Sequence, residues 1–470
     1  MSFVTLKFLL FLTTFLLLFY IAPKRIRWLI VLVASYLFYG IQEPVFVLLI
    51  AVSTIVDFIC AINIEKSKLK RVKKLFLGLS LSVNLGLLLG YKYIDFINQI
   101  IFGGNSILEY KGFHTGADFI IPIGISFYTF QTLSYTIDVY RGKAPAEKHL
   151  GYFAVFVSFF PQLIAGPIER SQKLIPQIKT FASVKIRAIN LFSALELIFW
   201  GLFKKIVIAD RIGVIVDKIF THHESFSSLA LYAAGLLFLI QVYCDFSAYT
   251  LIARGVARLV GVELTLNWNF PLFQTSYKDF WINWHMTLST WFRDYIYFPL
   301  GGNRLSFSFW SLNVLIVFFV SGLWHGANIT FILFGLLNGF ALVIEGYFLK
   351  NTSYRFPRFF KWVVMIFTFG FFFICFRAES TLQYFKIMEQ IFVFDSLNLI
   401  ADYVQLDLWL MSYIVTFSMI IFLFVIEYLQ YVKNTTVLKW FKTPEFLTVL
   451  LFIVLLFGEF EHEGFIYFQF

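Results

Sequence analysis

Charge is scarce in this chain. Only 14% of its 470 residues are Asp, Glu, Lys or Arg, against about a quarter in soluble domains, which excludes a soluble globular fold. Cysteine is scarcer still. Cys60, Cys244 and Cys375 each lie in apolar sequence, without the number or spacing of a disulfide framework or a zinc site. They read as small buried hydrophobes, and that reading is preferred over a nucleophilic role for Cys244 beside Asp245. No repeat, low-complexity tract or soluble segment is visible, so residues 1–470 read as one domain. No basic domain stands apart from the apolar runs, which argues against a nucleic-acid partner. His222-His223-Glu224 and Glu459-Phe460-Glu461-His462-Glu463 lack convergent ligand spacing. Both read as solvated loops, and no metal is expected.

What the chain has is apolar surface: 59% hydrophobic residues, 21% aromatic, mean hydropathy +0.78. Long solid apolar segments predict an all-α, polytopic membrane protein whose partner is the lipid bilayer. A β-barrel would show short alternating segments instead. Spans are predicted near 3–22, 28–42, 45–63, 75–93, 189–220, 228–260, 308–323, 328–349, 362–376, 409–432 and 446–458. In the first, Lys7 is followed by an apolar run to Ala22 and then Pro23-Lys24-Arg25, with no small-residue cleavage site, so it reads as a retained span. Basic residues collect in alternate loops, at 24–27, 66–74, 350–361 and 433–442, while the 377–408 connection is acidic. The positive-inside rule then puts the basic loops in the cytoplasm and the N-terminus outside.

Two stretches look broken. Ile121–Gly142, after a polar loop at 103–118, carries Pro122, Gly124 and a cluster of hydroxyls and amides. Phe160–Arg170 carries Pro161, Gly166 and Pro167. Broken backbone at membrane depth is tolerated only inside protein or beside a cavity, so re-entrant or in-plane segments are favoured over surface loops. Residues 173–187 read as a basic cytoplasmic segment. Asp245 lies deep in an apolar helix and should face the interior with an Arg or Tyr partner.

The densest chemistry lies between Trp281 and His325. A polar helix is predicted over Asp279–Asp294, with His285, Ser289, Phe292 and Arg293 on one face. Arg293 and Asp294 are read as structural. His325 sits between Gly322 and Gly326, where backbone can approach a ligand. An apolar setting favours the neutral imidazole, the usual group for deprotonating a hydroxyl. Taken alone, such a histidine is more often a helix-packing hydrogen bonder than a catalyst.

Several stretches carry a resemblance: Ile123–Gly142, Phe160–Arg170, Tyr243–Gly255, Asn267–Arg304, Ser321–Asn328 and the ending Phe465–Phe470. Together they resemble the membrane-bound O-acyltransferase family, and within it the membrane subunit of bacterial alginate O-acetyltransferases. The resemblance implies about 11–13 helices, with re-entrant or in-plane helices, around a central tunnel. It implies His325 as the catalytic histidine and His285 as a second near it. The donor would be acetyl-CoA or another acyl thioester, with no bound cofactor. The acceptor would be hydroxyls of an exported glycan, reached through an exported acyltransferase partner, at the bacterial inner membrane. Where relatives often carry Trp, Trp and His, this chain has Ile329, Phe334 and Asn338, which touches donor or acceptor specificity. Two other readings stand beside this one: D-alanyl transfer to teichoic acid, and a permease or flippase with no chemistry, which would leave His325 unexplained.

Overall fold

The computed structural model describes residues 2–41, 43–102, 122–185, 188–351, 356–393, 399–406, 409–433, 439–460 and 464–466. The polar loop at 103–118 and the last four residues fall outside them. Among the described residues there are helices and no strands, as expected. Seven of the described helices are long and apolar enough to cross a membrane, and Leu6–Ile21 and Pro444–Phe457 are shorter apolar ones. The runs expected at 28–42 and 189–220 are helical over Arg27–Gly40 and from Ala188 to Thr221. The chain forms two compact units, Met1–Ala194 with Ala253–Thr265, and Leu195–Ile252 with Leu266–Phe470.

The first unit contains α1 (Leu6–Ile21), α2 (Arg27–Gly40), α3 (Val45–Lys66) and α4 (Lys70–Leu88). A π turn, Leu89–Tyr93, carries α4 on into α5 (Ile94–Phe102). The unit continues with α6 (Ile125–Tyr140), α7 (Leu150–Ser158), α8 (Phe160–Leu163) and α9 (Ser171–Lys179). Lipid gives apolar helices no hydrophobic reason to associate, so polar contacts and close packing must do it. Here Asp57 of α3 accepts from Ser80 Oγ of α4 at 2.5 Å and Asn84 Nδ2 at 3.0 Å. Asn84 Oδ1 in turn accepts from Ser53 and from Thr132 of α6. This buried knot joins three helices.

The two broken stretches meet inside this unit. Gly124, at φ 78°, starts α6, and a Cβ there would lie 2.9 Å from the Leu163 carbonyl oxygen. Gln162 Nε2 donates to Gln131 Oε1 at 3.1 Å. Ile164, Ala165, Ile168 and Glu169 are buried, so 160–170 is the short helix α8 followed by irregular backbone inside protein rather than a surface loop. The break lies at Pro122–Gly124, before α6, and from Ile125 the helix is continuous. At one end of the unit, Glu263 accepts from Arg258 Nε at 2.6 Å and Arg254 at 3.1 Å. Glu169 accepts from the Thr265 N–H and hydroxyl.

The second unit takes up α10 (Ala188–Leu202) from Leu195 on, a π stretch Phe203–Ala209, α11 (Asp210–Thr221) and α12 (Ser228–Leu259) as far as Ile252. Then come α13 (Tyr277–Asn283), α14 (Met286–Phe292), α15 (Phe307–His325), α16 (Ile329–Asn351) and α17 (Arg358–Arg377). The acidic connection, which reads from sequence as a loop, contains α18 (Thr381–Val393) and α19 (Leu399–Leu406). α20 (Leu410–Tyr431) and α21 (Pro444–Phe457) follow.

Two buried lysines of the π stretch organise this unit. Lys204 Nζ pairs with Glu427 of α20 at 2.7 Å, and Tyr243 OH also donates to Glu427. Lys205 Nζ bridges Asp210 at 2.7 Å and Asp245 at 2.9 Å. Asp245 is therefore buried and paired as its place in an apolar helix requires, but its partner is a lysine rather than Arg or Tyr.

Candidate active site

The predicted continuous helix over Asp279–Asp294 is broken. α13 ends at Asn283, His285 takes φ 42° and ψ 55°, and α14 begins at Met286. A left-handed conformation costs a side-chain-bearing residue roughly 1–2 kcal/mol, so something must hold it. The loop before α13 does. The Asn267 backbone carbonyl accepts from Met286 N at 2.8 Å, and its side-chain oxygen accepts from Thr287 N and Oγ1 at 3.0 and 2.9 Å. Asn269 donates to Asn283 through both backbone and side chain. These contacts satisfy backbone groups that the break exposes. No glycine or proline marks the break; the sequence signal for it is a pair of asparagines in apolar surroundings.

The break changes the expected geometry. His285 does not share a regular helical face with Ser289, Phe292 and Arg293; it precedes their helix and is buried at its start. The segment lies between candidate spans α12 and α15, and burial pushes the His285 imidazole down to about 4, favouring its neutral form. Its ring lies 5.8 Å from Trp268, 6.0 Å from Phe246 and 6.0 Å from Trp324, centroid to centroid.

His325 closes α15, half-buried, with its ring 5.1 Å from Trp324 and 5.2 Å from Phe376. Its flanking glycines serve packing rather than ligand approach. A Cβ on Gly322 would lie 2.3 Å from the Phe331 carbonyl oxygen, and one on Gly326 would lie 2.2 Å from the Phe331 ring. They let α15 and α16 close tightly, which fixes the end of α15 and the histidine on it.

The two histidines converge. Both line a cavity of about 310 Å³ walled by Trp281, Trp284, Leu288, Trp310, Val317 and Phe318, with Ser289, Ser321, Tyr297, Lys278 and Arg293 as its polar groups. Both also line a second space of about 20 Å³ among Val242, Phe246, Trp268, Phe334, Phe373 and Phe376. The imidazoles therefore stand where a large apolar cavity meets a small one. Arg293 is exposed, pairs with Asp294 at 3.0 Å and does not reach Asp245. His223 and Glu224 stand apart from this site, and Glu224 pairs with Lys386. Among the described residues no three His, Cys, Asp or Glu gather into a metal-binding group.

Of the residues at 329, 334 and 338, Phe334 lies beside His325. Phe334 is buried, its ring 6.3 Å from His325. Asn338 is buried and donates to the Phe334 carbonyl at 2.8 Å, while Ile329 is exposed. Sequence reading does not single out Lys204, Lys205, Asp210, Glu427 or Asp57, although each is an ionisable residue within apolar sequence.

Sequence comparison gives the class of this helical chain, whose two histidines line one largely apolar cavity. Residues 145–383 match the membrane-bound O-acyltransferase family. The chain is 36% identical over 398 residues to the probable alginate O-acetylase AlgI of Pseudomonas aeruginosa, covering 83% of this chain and 74% of that one. It is 32% identical to the peptidoglycan O-acetyltransferase of Helicobacter pylori, over 77% of this chain and 72% of that one. Similarity to the teichoic acid D-alanyltransferase of Bacillus subtilis is lower, 27% over 56% of this chain and 69% of that one. The chain belongs to the membrane-bound O-acyltransferase family and is an O-acyltransferase of the membrane.

Proposed function

We propose that this protein transfers acetyl groups from a cytoplasmic thioester donor, such as acetyl-CoA, across the bacterial inner membrane towards hydroxyls of an exported polysaccharide or cell-wall glycan. The observation that carries the reading is the convergence of His285 and His325, from separate stretches, on one apolar cavity. Similarity to alginate and peptidoglycan O-acetylating proteins supports the choice of acetyl and of an exported glycan. The lower similarity to D-alanyl transferases makes that chemistry the weaker reading.

In this reading His325 takes the proton of the attacking hydroxyl as its oxygen bonds to the thioester carbonyl carbon. The carbon–sulfur bond breaks, and the thiol leaves with a proton. Neutral His285 offers an N–H to the carbonyl oxygen as charge develops there, among largely apolar walls that strengthen the contact. The hydroxyl belongs either to the glycan or to an exported acyltransferase that passes the acetyl group on. The test is the ester content of envelope glycans in a deletion strain. Expression of this protein should restore O-acetyl esters, and His325→Ala at equal abundance should not. Restored D-alanyl esters without O-acetyl esters would overturn the choice of acyl group.

A further inference from the structure

The end of α21 and the described residues of the strap that follows it, 458–460 and 464–466, are tied to the rest of the second unit at four points. Arg211 donates to the Phe457 carbonyl at 3.0 Å, and the Glu459 N–H donates to the Ile206 carbonyl at 3.0 Å. Lys205 Nζ donates to the Gly464 carbonyl at 2.7 Å, and the Ile466 N–H donates to Asp245 Oδ2 at 2.7 Å. Lys205 thus has acceptors for all three of its N–H groups: Asp210, Asp245 and Gly464. A buried ammonium shared between two carboxylates is costly to desolvate. That cost is offset only where further hydrogen bonds are made, and the strap supplies one to Lys205 and one to Asp245.

Between the last two ties sits Phe465, 3% exposed. Its ring packs 4.9 Å from Phe246 and 5.0 Å from Tyr249. Phe246 in turn stands 6.0 Å from the His285 imidazole and walls the small cavity that both histidines line. The strap is therefore the backing of one wall of the site.

We infer that Phe465 is a positioning residue for acyl transfer: held by Lys205 and Asp245, it presses Phe246 into place behind His285. The inference rests on the proposed role of His285. A site residue displaced by about 1 Å can lose on the order of 100-fold in rate, and removing the Phe465 ring leaves Phe246 free to retreat by a distance of that order.

The experiment reads O-acetyl esters on envelope glycans in the deletion strain, normalised to the amount of monodisperse protein extracted from the membrane. Phe465→Ala should lower transfer by about 10- to 100-fold, and Phe465→Leu, which keeps most of the apolar volume, should restore most of it. Phe465→Val provides a milder deletion should the alanine variant not accumulate. In a Phe246→Ala background, Phe465→Ala should cost little more, because its effect passes through that ring. Full transfer by monodisperse Phe465→Ala or Phe465→Val protein would overturn the inference, as would losses at 246 and 465 that simply multiply. His285→Ala measured alongside separates the two claims. If it abolishes transfer while Phe465 variants are normal, only the strap fails. If it transfers normally, the reading of the site fails and the strap role with it.

Discussion

The indole of Trp324 meets the imidazole of His285 at 82°, ring centroids 6.0 Å apart, and the next residue along the chain is His325. Trp324 is buried, and its ring lies against both histidines. Trp324→Phe keeps an aromatic ring there and should retain most activity. Trp324→Ala leaves a cavity worth roughly 3–5 kcal/mol of stability, and whatever protein accumulates should transfer poorly. Thermal unfolding of the extracted protein, paired with ester content, checks both. A stable, fully active Trp324→Ala protein would detach this ring from the site.

Asp245 and Lys205 make a second prediction. Asp245→Leu leaves Lys205 with one carboxylate and removes the acceptor of the Ile466 N–H. Breaking a buried pair by deleting one partner costs about 3–5 kcal/mol. Accumulation in the membrane should therefore fall sharply, before any question of chemistry arises. Normal accumulation with lost transfer would instead place Asp245 in the reaction.

The clasp around Glu263 predicts a pH effect. Burial raises its carboxyl, but hydrogen bonds and charge from Arg258 and Arg254 outweigh that and hold it below its ordinary value of 4.5. A depressed carboxyl contributes stability that is present above the ordinary value and is lost as pH falls through the lower folded value. Its side chain is 49% exposed, so the contribution is about 1 kcal/mol or less. Melting temperatures of Glu263→Gln and the native protein should differ modestly near neutrality and converge at acid pH. A gap that widens on acidification would reverse the sign and defeat the account of this pair.

Topology gives a fourth. Cysteines placed at 24–27 or 66–74 should resist a membrane-impermeant thiol reagent in intact cells and react after permeabilisation. Ready labelling of the 66–74 loop in intact cells would invert the orientation.

Much of the architecture is legible in the sequence because spans are long and their signal is composition. α3, α12, α15, α16 and α20 fall within a few residues of their expected bounds. The site is legible as residues rather than as geometry. His285 and His325 stand out as histidines in apolar sequence, but the break that turns His285 out of its helix is held by Asn267 and Asn269, distant in sequence from His285. Periodicity reads only neighbours, so it gives one helix there. The glycines around His325 look like room for a ligand, whereas Phe331 of the next helix occupies that room. Lys204 and Lys205 escape notice because, Asp210 apart, their partners Glu427, Asp245 and Gly464 come from three other parts of the chain.

The measurement that tests the central claim most directly is acyl transfer by His325→Ala. The variant protein should insert, accumulate and extract as a monodisperse species like the native one, because His325 is half-buried at a helix end. General-base catalysis contributes typically about 10²–10⁴-fold, so O-acetyl esters on the envelope glycan should fall by at least about 100-fold at equal protein amount. Well-folded His325→Ala protein that acylates its glycan at a near-native rate would contradict the mechanism, while leaving the family membership untouched.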